Sequence, residues 1–344
     1  MGWEGIKIKE KAKELNISLN LLSEQVGVSR QTMDNWIKGE MPMGKGVIAL
    51  CDILQVSPDY FFRDDTAQSI YLPVHRMRRT AKINDSTKSK SYDIVKEYAV
   101  FFKNTNKPDI PKLSDIEGKN SLLMADTLRA FAGSQNAKPI SYDETVRLME
   151  RLSLNVVFRY FPDEIKSYAF YTRIFGHKIV FVNNTTNIID LIFALLHEAI
   201  HSILDKGRKK STYDDKEERF CDDVANLIQL PQHYVESIYS EIKGKQIGTQ
   251  VNILKKYAGD NKHSLHGILK RIKAIDRNID INIGGADANL KKDFQTIGDI
   301  LFSSDEPMDY IDKLHQMSPI FYKNIVSNIE NMSCGKLGEL LGLY

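Results

Sequence analysis

Residues 195–204 read "LLHEAIHSIL": two histidines four apart, a glutamate directly after the first, and apolar residues around them. The run that contains them, "TNIIDLIFALLHEAIHSILD", is too long for a strand, and it predicts a buried helix that ends before Gly207. Ionisable groups inside a core helix are costly unless something pairs with them. On an α-helix residues i and i+4 share a face, so His197 and His201 can aim ring nitrogens at one point about 2 Å away, as tetrahedral zinc requires. Glu198 falls beside that point, where a carboxylate can take a proton from a water whose pKa a metal has lowered. An apolar helix is also a rigid, dry mount for such a site.

Two histidines can equally fall on a core helix and bond to backbone or carboxylates. With 8 histidines in 344 residues, the pattern arises by chance in roughly one such chain in a hundred, so a third donor has to decide. Catalytic zinc has three protein ligands and one open position. The next segment, "EERFCDDVANLIQLP" at 217–231, presents Glu218, Cys221 and Asp222 on one helical face through their i, i+3, i+4 spacing. Glu218, 17 residues after His201, is the preferred third ligand, with Cys221 and Glu217 as competitors. Cys221 reads more simply as a small buried residue against the histidine helix. Asp222 is placed to accept the second N–H of a ligand histidine and fix its tautomer. Tyr171, Tyr213 and His233 are equal candidates for steadying an oxyanion.

Upstream, "LNVVFRYF", "SYAFYTRI" and "HKIVFVNN" (154–161, 167–174 and 177–184) predict a small antiparallel sheet. Helices are expected at roughly 91–104, 117–132 and 142–153. Residues 5–62 predict four or five short helices, with Ser18 and Ser29 as N-caps and Gly27 and Gly39 at helix ends. From Arg76 to Lys90 the chain is polar, basic and low in large apolar residues, which suggests a linker over 67–90. Past Ile275 the chain looks helical but carries no motif tied to chemistry. Just before it, His263 and His266 read as ordinary helix-face residues, and beyond it "INIGGADAN" reads as a loop. The fold class is therefore mainly α with a small antiparallel sheet (α+β), divided as 1–66, 67–90, 91–275 and 276–344.

A net charge of +2 with 27% charged residues points by itself to neither nucleic acid nor membrane. The most apolar window carries Asp190, His197, Glu198 and His201, so no membrane partner is expected. Cys51, Cys221 and Cys334 are too few and too scattered for a disulfide framework, and the amino terminus has no secretory h-region. A cytoplasmic protein is expected.

The stretch from about residue 90 to 275 resembles the ImmA/IrrE metallopeptidases, whose HExxH helix is followed by a pattern like E-x-x-C-N-x-x-A-x-x-x-L-x-P. Here Glu218, Cys221, Ala225 and Pro231 are in register, Leu230 falls one place after the patterned Leu, and Asp222 stands where Asn is usual. The resemblance implies a zincin-like fold and one Zn2+ held by His197, His201 and Glu218, with Glu198 as the catalytic base. It also implies a helix-turn-helix repressor as protein substrate. "LSEQVGVSRQTMDNWIKGE" at 22–40 is similar to the XRE/Cro-type helix-turn-helix, with Ser23 at a close helix crossing and Val26, Val28, Met33, Trp36 and Ile37 in its core. DNA would then meet the outward residues: Arg30, Gln31, Thr32 and Asn35 at base edges and Lys38 at phosphate, with the cluster Arg76, Arg78 and Arg79 more simply a solvated linker. Such units also dimerise, so a homodimer is compatible with the pattern. The expectation is a regulatory zinc metalloendopeptidase fused to a DNA-binding domain. Its rivals are a transcription regulator that binds metal or a signal without cutting, and a protein whose domains only bind partners.

Overall fold

In the computed structural model, which describes residues 3–56, 58–61, 70–72, 85–106, 120–135, 137–205, 207 and 214–343, the chain divides between Ser69 and Ile70. The first unit contains α1 (Ile6–Glu14), α2 (Leu19–Val26), α3 (Arg30–Ile37), α4 (Gly44–Leu54) and a 3-10 turn at Pro58–Phe61. Ser18 and Ser29 cap α2 and α3, their hydroxyls accepting the N–H groups of Leu21 and Thr32. Gly27 closes α2 in the left-handed region, φ 77°, and so turns the chain into α3 where a side chain would be strained. Ile8, Leu22, Met33, Leu50, Leu54 and Phe61 are buried together with Trp36, while Val26, Val28 and Ile37 pack half-buried against them. Ser23 is buried and donates its hydroxyl to the Asn20 carbonyl at 2.7 Å. A Cβ at Gly5 would lie 1.7 Å from the Trp36 carbonyl oxygen, so the chain entering α1 can cross the end of α3 only without a side chain.

The second unit begins with β1 (Ile70–Tyr71), α5 (Asp85–Glu97), α6 (Ala99–Asn104), α7 (Ser121–Ala132) and α8 (Tyr142–Arg151). The segment read as a linker, 67–90, thus contains an edge strand and the start of a helix. Arg76, Arg78 and Arg79 lie outside the described residues. Next come β2 (Leu154–Arg159), β3 (Ala169–Ile174), β4 (His177–Asn183), α9 (Ile188–Leu204) and α10 (Asp215–Gln229). The remainder comprises α11 (Gln232–Ile242), α12 (Ile247–Asn261), α13 (Leu265–Ile275), α14 (Gly284–Lys292), α15 (Ile297–Leu301), α16 (Pro307–Met317), α17 (Pro319–Asn328) and α18 (Cys334–Leu340).

The sheet order is β1-β3-β4-β2. β3 and β4 form a hairpin across Phe175 and Gly176, both at positive φ (48° and 91°), the signature of a two-residue turn matched to strand twist. β1 joins β3 antiparallel, but β2 joins β4 in parallel, so the expected antiparallel sheet is a mixed one. The cause is burial on both faces. β2 and β4 are buried along nearly their whole length, as parallel strands usually are. On one side α17 packs on β2, with Ser318 donating to the Val156 carbonyl and Asn324 to Asn155 Oδ1 at 2.8 Å. On the other side α9 packs across β3 and β4.

The last seventy residues share the core of the rest of the unit. Ile281, Ile283, Leu290, Leu301, Leu314, Phe321 and Ile325 belong to the same buried cluster as the sheet and α9. "INIGGADAN", read as a loop, is irregular only over 281–283 and starts α14 at Gly284. Its apolar residues are drawn into that cluster, and Asp287 accepts the Leu265 N–H at 3.1 Å. Among the described residues no helix is long and apolar enough to cross a membrane.

Candidate metal centre and helix-turn-helix face

Asn187 caps α9 through the Ile189 N–H, and the helix runs through the core with most of its residues buried. That position brings His197 and Glu198 to the wall of a cleft, with His201 one turn further along the helix. Asp214 caps α10, which packs against α9 and turns Glu218 inward, leaving it 4% exposed. The Nε2 atoms of His197 and His201 are 3.2 Å apart. Glu218 Oε1 lies 3.3 Å from His201 Nε2, and Oε2 lies 3.4 Å from His197 Nε2. Ligand atoms about 2.0–2.1 Å from a tetrahedral ion stand roughly 3.3–3.4 Å apart, close to the separation of the two histidine nitrogens; Glu218 turns a different oxygen to each ring, and one of its oxygens with the two nitrogens makes a set within 4.8 Å that could hold one ion. Among the described residues this is the group of His, Cys, Asp and Glu side chains able to hold a metal.

The outer nitrogens are also met. Asp222 Oδ1 lies 3.1 Å from His197 Nδ1, off the ideal hydrogen-bond angle but close enough to attract its N–H. Glu217 Oε1 is 3.4 Å and Cys221 Sγ 3.7 Å from His201 Nδ1. The two competitors for the third ligand position thus sit behind the ring, on the side away from the shared point. Cys221 is fully buried, and burial pushes its thiol pKa up.

Electrostatics follow this arrangement. Burial works to lower the His197 pKa, but Asp222 and Glu218 overcome it and push it up to about 9. His201 is likewise raised, against the effect of burial, by Cys221, Glu217 and Glu218. Burial alone would raise Glu218, yet the two imidazoles beside it hold its carboxyl down at about 2. A pocket that favours positive charge this strongly suits a cation at the same point. Glu198 is raised by burial, with the histidines opposing, which makes it a better base than an exposed carboxylate. Its Oε2 accepts the backbone N–H of Tyr171 at 2.8 Å, fixing the carboxylate from the edge of β3.

The cleft, of about 320 Å³, is lined by Ala169, His197, Glu198, Asp222, Asn226 and His266 among others. Of the proposed oxyanion partners, Tyr171 directs its hydroxyl to Asp205 at 2.7 Å and does not line the cleft. His233 is 80% exposed beside Glu236, and Tyr213 lies outside the described residues. His263 is fully buried and its Nδ1 accepts from Gln229 Nε2 at 2.9 Å, whereas His266 is exposed at the rim. Asn226 does not stand out by residue type, and its place at i+4 and i+8 from Asp222 and Glu218 was the available signal.

On the first unit, α3 carries Arg30, Gln31, Thr32 and Asn35, with Lys38 as its C-cap. Arg30 pairs with Asp34 at 2.7 Å, Gln31 donates to Asn35 Oδ1 at 3.1 Å, and Thr32 shares a hydrogen bond with Ser29 at 2.8 Å. These exposed pairs are worth about 0–1 kcal/mol each, so they pre-order the side chains without locking them.

Residues 8–61 match the helix-turn-helix family. They form a helix-turn-helix unit. Over 66 residues the chain is 36% identical to repressor protein C2 of Salmonella phage P22, which covers 19% of this chain and 31% of the repressor. The chain therefore spans about a third of the length of that curated relative. No solved structure matches the chain.

Proposed function

We propose that the chain is a regulatory zinc metalloendopeptidase joined to a DNA-binding domain, working in the cytosol on a helix-turn-helix repressor or a related protein. The observation that carries the reading is the buried group His197, His201 and Glu218, whose ligand atoms lie within 4.8 Å of one another, with Glu198 beside it in a cleft. When bound there, zinc would polarise a peptide carbonyl and lower the pKa of the attacking water. Glu198, aligned by the Tyr171 N–H, takes the proton from that water and delivers it to the leaving amine. Asp222 and Glu217 hold the two imidazoles in orientation through their Nδ1 atoms. The similarity of residues 8–61 to a helix-turn-helix and to a phage repressor supports DNA binding through α3.

The test is metal analysis followed by Glu198→Gln. The purified chain should carry one zinc and cut a helix-turn-helix repressor encoded beside it, read by mass spectrometry of the fragments. The variant should keep its zinc and lose cleavage by a factor on the order of 10²–10⁴. If both proteins bind zinc and both leave every offered repressor whole, the chain is a regulator that senses through its metal and does not cut.

A further inference from the structure

The cleft contains a polar group that the protein leaves without a partner. Asn226 lies on α10 one and two turns beyond Asp222 and Glu218, on the same face, and lines the cleft. It is only 4% exposed, yet its Oδ1 has no hydrogen-bond partner among the described residues. Oδ1 faces Gly267, where a Cβ would stand 3.6 Å away, and the nearby Ser264 hydroxyl oxygen accepts the Gly267 N–H that caps α13. The cationic groups of the same wall are turned elsewhere. Lys270 pairs with Asp223 at 2.9 Å, and His266 leans toward Asp287 at 3.8 Å. A buried carboxamide oxygen left unpaired weakens the fold, so such a group calls for a donor that comes from outside.

A peptide in this cleft brings such a donor at every residue except proline: its backbone N–H. We propose that Asn226 Oδ1 accepts a backbone N–H of the bound peptide next to the scissile bond. Asn226 is then a substrate-binding residue that sets the register of the chain over the metal, and it excludes proline at that one subsite. The inference rests on the peptidase reading of the cleft.

The experiment uses the zinc-loaded full chain and a leucyl dipeptide hydroxamate, prepared unmodified and with each amide N-methylated in turn, with affinities from calorimetry. In the wild type, one N-methylation should weaken binding at least tenfold. Asn226→Leu, which keeps the bulk and removes the acceptor, should bind that analogue and its parent within about twofold, and should melt at a higher temperature without ligand. Asn226→Ala cannot overpack and must lose the same discrimination even where the Leu variant does not fold. The inference is overturned if every N-methyl analogue binds the wild type as its parent does. Discrimination that survives in either variant overturns it as well. A wild type that holds no zinc, or holds zinc and ignores the hydroxamate, sinks the peptidase reading itself, and the inference falls with it.

Discussion

Replacing Glu218 by Gln keeps the side chain's size and removes its charge, and the structure sets the size of the effect. The imidazoles hold the Glu218 carboxyl at about 2, below an ordinary value of 4.5, which corresponds to about 3 kcal/mol of net attraction. Because the folded pKa is the lower one, this stability is complete above pH 4.5 and disappears as the pH falls through about 2. At pH 7.5 in a chelator, urea unfolding of Glu218→Gln should therefore show a loss on the order of 3 kcal/mol. The metal adds a second reading. At free zinc about one hundred times the wild-type Kd, binding stabilises the wild type by about 2.7 kcal/mol. A ligand loss that weakens zinc on the order of a hundredfold or more leaves the variant a gain of about 0.4 kcal/mol or less at the same zinc concentration. Cys221→Ser should keep the wild-type gain, since Cys221 Sγ approaches His201 from the outer nitrogen. An undiminished zinc gain in Glu218→Gln together with a lost one in Cys221→Ser would refute Glu218 as the third ligand.

Two further outcomes rest on other parts of the molecule. Burial pushes His263 down to about 3 from 6.5, so the unfolded chain takes up a proton at mildly acid pH that the folded chain refuses. Stability should then fall with pH by about 1.4 kcal/mol per unit, or about 2 kcal/mol by pH 5. His263→Gln should remove that share, and wild type and variant losing stability in parallel from pH 7.5 to 5.0 would contradict it. Lys38 is exposed at the end of α3. Lys38→Ala should reduce the slope of log affinity against log salt for duplex DNA by about 1. An unchanged slope in fluorescence anisotropy would mean that Lys38 meets no phosphate.

What could be read from the sequence was mostly local. Ser18, Ser29 and Gly27 act within one turn of themselves, and all three do in the structure what their neighbours in sequence predict. The three central strands were equally legible from their β-branched and aromatic content. Their pairing was not. β2 lies parallel to β4 because a second layer covers it, and that layer includes Ser318 and Asn324, more than 150 residues further on. Nothing inside "LNVVFRYF" reports what will pack on its far face. For the same reason residues 276–344 could be read as helical but not as part of the core that holds the sheet. Within the segment read as a linker, a two-residue strand, Ile70–Tyr71, is stabilised by its partner β3 and by the Thr172 hydroxyl on the Tyr71 carbonyl, not by its own composition.

The metal site divides along the same line. Helical spacing gives the face on which His197, His201, Glu218 and Asp222 sit, and that was enough to bring them together. Spacing does not give depth, so Glu217 and Cys221 read as rivals of Glu218 although both stand behind His201. Least legible of all is what aims Glu198, because its partner is the backbone N–H of Tyr171, and any residue type other than proline could supply that group. What holds that N–H in place can still be traced. The Tyr171 hydroxyl and the Arg173 guanidinium both bind Asp205, the residue that ends α9, so the helix carrying Glu198 and the strand aligning it are tied at two points. The orientation of Glu198 therefore depends on Asp205, a residue outside the HExxH pattern whose importance follows only from the way β3 lies across α9.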